Sequence, residues 1–163
     1  MRASEHEANQ TNKRGIVVER DPARQKIRVQ FDDEDGVVSH WIDVLSSSGG
    51  STKTSMMPDM DDEVWCALDA KGEDGCLMGV KYNTKNAPPY ASNDDIGLVW
   101  AGGSVHVNKG SGAVTINTSG TVKIVAASIE LVSATLTHNG TDISDKHKHK
   151  DVTSGPSQTG VPV

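Results

Sequence analysis

The feature that most constrains this chain is a run of small apolar pairs in its second half. Val105 and Val107 are followed by Val114 and Ile116, then Val122 and Ile124, then Ile129 and Leu131, then Leu136. The pairs recur roughly every seven to eight residues, with Gly, Ser, Thr and Asn between them. Spacing within a pair is that of a strand, and the residues between pairs are those of turns. This is a short β-helical or solenoid-like pattern, in which no pair is large enough to bury itself within one chain. Such a ribbon needs partners to remove its apolar stripe and its edges from water. Self-association about a symmetry axis supplies them. Three chains wound into one prism fit the pattern, although the periodicity does not itself set the number at three.

The first half is built differently. Residues 1–90 hold 27 of the charged residues and residues 91–163 only 11. Five strand signals occupy the first part: 15–19, 27–31, 39–45, 63–68 and 76–82. Ile27-Arg28-Val29-Gln30-Phe31 alternates apolar and polar, the mark of a half-buried strand. Five short antiparallel strands in this length suit a small closed barrel, and the OB-fold is the commonest such solution. Val outnumbers Leu by 18 to 6, which also favours strands over helix bundles. The polar Asn83–Asp95 stretch with Pro88-Pro89 reads as a domain exit. The expected fold is therefore all-β. It divides into a flexible N-terminus over 1–14, an OB-fold barrel over 15–85, a linker over 86–97, a β-helical segment over 98–144 and a tip over 145–163.

Several residue groups invite a chemical role. Asp32–Asp35 lacks the ligand spacing of a calcium loop and reads as a solvated hairpin turn. Asp59, Asp61, Asp62 and Glu63 have no nucleophile or base beside them and read as the wet flank of a strand start. Cys66 and Cys76 are the only cysteines, too few for a disulfide framework, and read as reduced thiols facing one core. His106 and His138 read as outward or interface hydrogen-bonding residues, and His40 as a barrel-surface residue.

Near the C-terminus stands Lys146-His147-Lys148-His149-Lys150. In an extended chain residues i and i+2 share a face, so His147 and His149 point together and the lysines point away. Two imidazoles from one chain make a weak chelator, and alone the motif reads as a solvated basic tail. About a three-fold axis the same pair becomes six imidazoles, an octahedral shell that suits iron or a similar transition ion better than zinc.

With that motif the chain resembles the central spike, or baseplate assembly protein V, family of contractile-tail phages and R-type tailocins. The resemblance rests on Pro58-Asp59-Met60-Asp61-Asp62-Glu63-Val64, on Gly79-Val80-Lys81-Tyr82-Asn83, on the repeats after residue 96, on His147-Lys148-His149, and on the tail from Thr153 to Val163. The family's usual Gly-Asp-Glu-Val is Asp61-Asp62-Glu63-Val64 here, and Lys150-Asp151 replaces the small residue expected after the second His. The resemblance implies an OB-fold that docks to the tail hub or baseplate and a trimeric, intertwined three-stranded β-helix. It also implies a metal-bound tip with one iron per trimer on His147 and His149. Further shaft ions such as calcium or chloride are left open. It implies a structural, non-enzymatic homotrimer that pierces the host outer membrane on sheath contraction. It places the protein in the virion tail tip or tailocin particle, made in the host cytoplasm without a signal peptide.

The other readings are weaker. A receptor-binding tail fibre or adhesin could share a trimeric ribbon, but would carry aromatic-rich tip loops. A type VI secretion tip would carry a larger hub portion. A nucleic-acid partner is disfavoured by the net charge of −6 and the lack of a basic, aromatic-lined groove. No constellation of paired carboxylates or nucleophile and base suggests an enzyme.

Overall fold

The computed structural model describes residues 11–32, 35–144, 147 and 155. No α-helix forms among them. The chain divides into two compact units, residues 1–117 and 118–163.

The first unit opens with the barrel. Its strands are β1 (Asn12–Asp21), β2 (Lys26–Phe31), β3 (Ile42–Val44), β4 (Glu63–Leu68) and β5 (Gly75–Lys81). They close in the order β1-β2-β3-β5-β4. All pairs are antiparallel except β3 with β5, which run parallel through Asp43–Cys76 and Val44–Leu77 only. The alternation in the sequence decides the core. Val17, Ile27, Val29, Phe31, Ile42, Val44, Val64 and Cys66 all point inward and are buried, with Met57, Leu68 and Leu77 packed against them. β1 carries a bulge between Val17 and Glu19, which adds the local twist that closure of a small barrel requires.

Two elements differ in extent from their sequence signals. β1 begins at Asn12, within the stretch expected to be flexible, because Asn12–Ile16 pairs with Glu63–Ala67 of β4. The third strand is shorter than 39–45. Ser39 is buried and bonds Val29 twice: its N–H donates to the Val29 carbonyl at 2.8 Å, and its Oγ accepts the Val29 N–H at 2.9 Å. A hydroxyl thus takes the place of the ladder carbonyl there, and regular pairing resumes only at Ile42.

The first unit ends in a second sheet, β6 (Asp95–Trp100), β7 (Gly103–Asn108) and β8 (Ala113–Thr118), in that order. β6 starts inside the segment expected to be linker. In the second unit, residues 119–136 form no hydrogen-bonded strand, and a small hairpin follows, β9 (Thr137–His138) and β10 (Thr141–Asp142). Its turn, Asn139-Gly140, has φ of 48° and 79°, the paired left-handed conformation that a two-residue hairpin turn demands.

Candidate functional site

Of the two residues expected to bind metal, His147 is described and His149 lies outside the described residues. The hairpin of the second unit leads to His147. The Ile143 N–H donates to the Leu136 carbonyl at 2.8 Å, and the Ser144 N–H donates to Asp142 Oδ1 at 2.9 Å. That bond to Ser144 holds the Asp142 carboxyl below its ordinary range. The Ser144 carbonyl then accepts from both the His147 N–H, at 3.1 Å, and His147 Nδ1, at 2.6 Å. A carbonyl can only accept, so Nδ1 carries the proton. In a neutral ring this makes Nε2 the nitrogen with the lone pair. A ring oriented by a backbone carbonyl through Nδ1 is the form in which histidines commonly ligate metals. The exposed His147 ring therefore fits a metal-ligand role.

Other candidates resolve into structural roles. The carboxylates at the start of β4 are tied down. Arg20 Nη1 donates to Asp59 Oδ1 at 2.7 Å, Lys81 Nζ to Glu63 Oε1 at 2.8 Å, and Asn83 Nδ2 to Glu63 Oε2 at 3.2 Å. The Lys81 bond, with that from Asn83, lowers the Glu63 pKa. Cys66 is fully buried and Cys76 half-buried. Burial, with the neighbouring Cys76 as a lesser cause, pushes the Cys66 thiol up to about 11. His40 is exposed on the barrel, as its sequence context suggests, and Asp33 and Glu34 of the acidic run lie outside the described residues.

His106 belongs to a cluster that sequence reasoning did not assemble. Its Nε2 lies 2.9 Å from Asp95 Oδ1, which also accepts from Asn108 Nδ2 at 3.1 Å. Tyr90, from the segment after Pro88-Pro89, stacks on the imidazole with centroids 4.8 Å apart. A Cβ at Gly97 would stand 2.7 Å from the Tyr90 hydroxyl. The glycine thus makes room for the tyrosine. The apparent linker is fastened to the second sheet at this point. The bond from His106, followed by that from Asn108, holds the Asp95 carboxyl below its ordinary range. The pairing of Asp95 with Asn108 and Gly97 with His106 puts the whole cluster on one face of the β6–β7 hairpin. Nothing in the sequence announces this stacking contact.

The other face of that hairpin is apolar and open. Ile96 pairs with Val107, Leu98 with Val105 and Trp100 with Gly103. Ile96 is 56% exposed, Leu98 48% and Trp100 46%. Exposure continues through Val114, Ile116, Val122, Ile124, Val125, Ile129, Leu131 and Val132. They include the pairs Val114/Ile116, Val122/Ile124 and Ile129/Leu131 of the sequence, and within a single chain these remain in water.

Residues 13–80 match the family model of the type VI secretion system/phage-baseplate injector OB domain. Over this segment the chain is similar to the injector OB domain of type VI secretion systems and phage baseplates. No curated protein matches the chain. The matched segment begins in β1 and ends in β5, so it takes in the closed barrel and its core. The match supports a structural role in a tail or baseplate.

Proposed function

We propose that this protein is the membrane-piercing spike of a contractile phage tail or tailocin, acting as a homotrimer. The observation that carries this reading is the long series of exposed apolar side chains, from Ile96 to Val132, that follows an injector barrel. Each such side chain gains about 1.5–3 kcal/mol when moved from full exposure to full burial. More than ten of them in one chain therefore supply a strong drive toward assembly, and the seven-to-eight-residue rhythm suits an intertwined three-stranded β-helix. The barrel docks the spike to the tail hub or baseplate. Sheath contraction supplies the work, and the trimer transmits it to the host outer membrane without chemistry on a substrate.

At the tip, His147 and His149 of each chain hold one iron ion. The bound metal supplies a crosslink between chain ends where apolar side chains run out. The chain's part is to orient the ligand: the Ser144 carbonyl fixes the His147 tautomer, and the Asn139-Gly140 turn sets the strand β10 that leads to Ser144. Because ligand binding joins assembled chains, its free energy adds to assembly, on the order of 10 kcal/mol for structural zinc sites in peptides.

The test is native mass and metal content measured on the same gel-filtered sample. A mass three times 17.3 kDa with one iron per three chains is expected. A metal-free monomer would return His147 and His149 to a solvated tail and remove the spike reading.

A further inference from the structure

The barrel has an open apolar groove of about 800 Å³ where β3 ends and β5 continues. Beyond Leu77, β5 has β4 as a strand neighbour on one side only. Leu45, Met56, Met78, Val80 and Tyr82 line the groove, and Val99 of β6 reaches it from the second sheet. Met56 is 68% exposed and Met78 61%. Its charged rim is already satisfied. Asp59 is paired with Arg20, and Asp62 accepts from the Asp59 N–H at 2.8 Å and from Asn86 Nδ2 at 3.3 Å. The groove therefore calls for an uncharged, apolar occupant, and flexible methionine side chains adapt readily to one.

The same unit presents such a surface elsewhere. Strand alternation puts Gly97 and Val99 on one face of β6, toward Tyr90 and the chain's own groove. Ile96, Leu98 and Trp100 lie on the opposite face with Val105 and Val107, and none of these five side chains is charged. The molecule thus carries two different uncovered apolar surfaces, joined through β6 but turned apart. One self-complementary patch makes a two-fold dimer, whereas two different complementary patches join copies head to tail and can close a ring.

We infer that the barrel groove of each copy receives the apolar face of the β6–β7 hairpin of the next copy. The ring of barrels is then continuous with the shaft interface, and the inference rests on the trimer reading. Its consequence is that each barrel is held by a neighbour's shaft as well as by its own chain.

The experiment uses the full chain with Cys76→Ser throughout, because Cys76 is a half-buried free thiol lining the groove, in two forms of different tag length carrying Met78→Cys or Leu98→Cys, co-expressed and treated with a short bismaleimide. Val80→Cys with Trp100→Cys provides a second pair. All four positions are exposed, so the fold tolerates the changes. The expected result is a crosslinked species of mixed tag length from both pairs, absent when either form is expressed alone, at a native mass of three chains. A three-chain mass without the mixed crosslink overturns this inference, gives the groove to another occupant such as a hub segment, and leaves the trimer standing. A one-chain mass for the unsubstituted protein removes both readings.

Discussion

Asp95 shows how one side chain links the joint of the molecule to pH. It accepts from His106 and Asn108, and its carboxyl titrates below its ordinary value of 3.8. A carboxyl depressed in the folded state contributes stability above its unfolded value and loses that contribution as pH falls through the folded one. The melting-temperature gap between the unsubstituted chain and Asp95→Asn should therefore hold above pH 3.8 and close below it. A gap that ignores pH would show that shape, and not the carboxylate charge, matters at this position. The thiols offer a second residue-level test. Burial that raises the Cys66 pKa to about 11 also keeps reagents out, whereas Cys76 is half-buried. Iodoacetamide should add one group to the folded chain, at Cys76, and two after denaturation, read by intact mass. Labelling of Cys66 in the folded chain would contradict its place in the core.

At the scale of elements, the weak point of the β6–β7 hairpin is Gly97. A Cβ there would stand 2.6 Å from the Val105 carbonyl oxygen and 2.7 Å from the Tyr90 hydroxyl. The tyrosine can turn away, but the Val105 oxygen is backbone, so the hairpin itself must shift. Gly97→Ala should cost roughly 1–3 kcal/mol, in the range of other overpacking changes. The check is a lower urea midpoint at unchanged slope, at fixed protein concentration. The barrel strands were legible because their alternation is strict: Ile27, Val29 and Phe31 point inward in the structure as their spacing requires. The short third strand was not legible, because a serine hydroxyl can replace a ladder carbonyl without leaving a mark in hydropathy. Nor was the fastening of the segment after Pro88-Pro89. Polar, proline-containing composition predicts an irregular path, and an irregular path can still be anchored by one tyrosine on one histidine.

For the whole molecule, the question is whether the apolar stripe or the metal carries assembly. The sequence pattern made the stripe visible, and its exposure in one chain is the physical reason to expect partners: Ile124 is 69% exposed, Leu131 67% and Val132 87%. On the proposed reading, the metal motif adds two side chains to a chain that its exposed stripe already drives toward association. The two contributions should therefore separate by substitution. His147→Ala with His149→Ala should abolish bound iron, lower the melting temperature and leave a native mass of three chains. Ile124→Asp with Leu131→Asp puts two carboxylates where burial is required, and an unpaired buried charge costs several kcal/mol. That variant should sediment as a single chain even with iron supplied, while the barrel keeps its cooperative unfolding, because its core of Val17, Ile27, Val29, Ile42 and Val64 lies wholly in the first unit. If the histidine variant alone falls apart into single chains, the metal nucleates the trimer and the stripe only follows. That result would reverse the order of assembly argued from exposure.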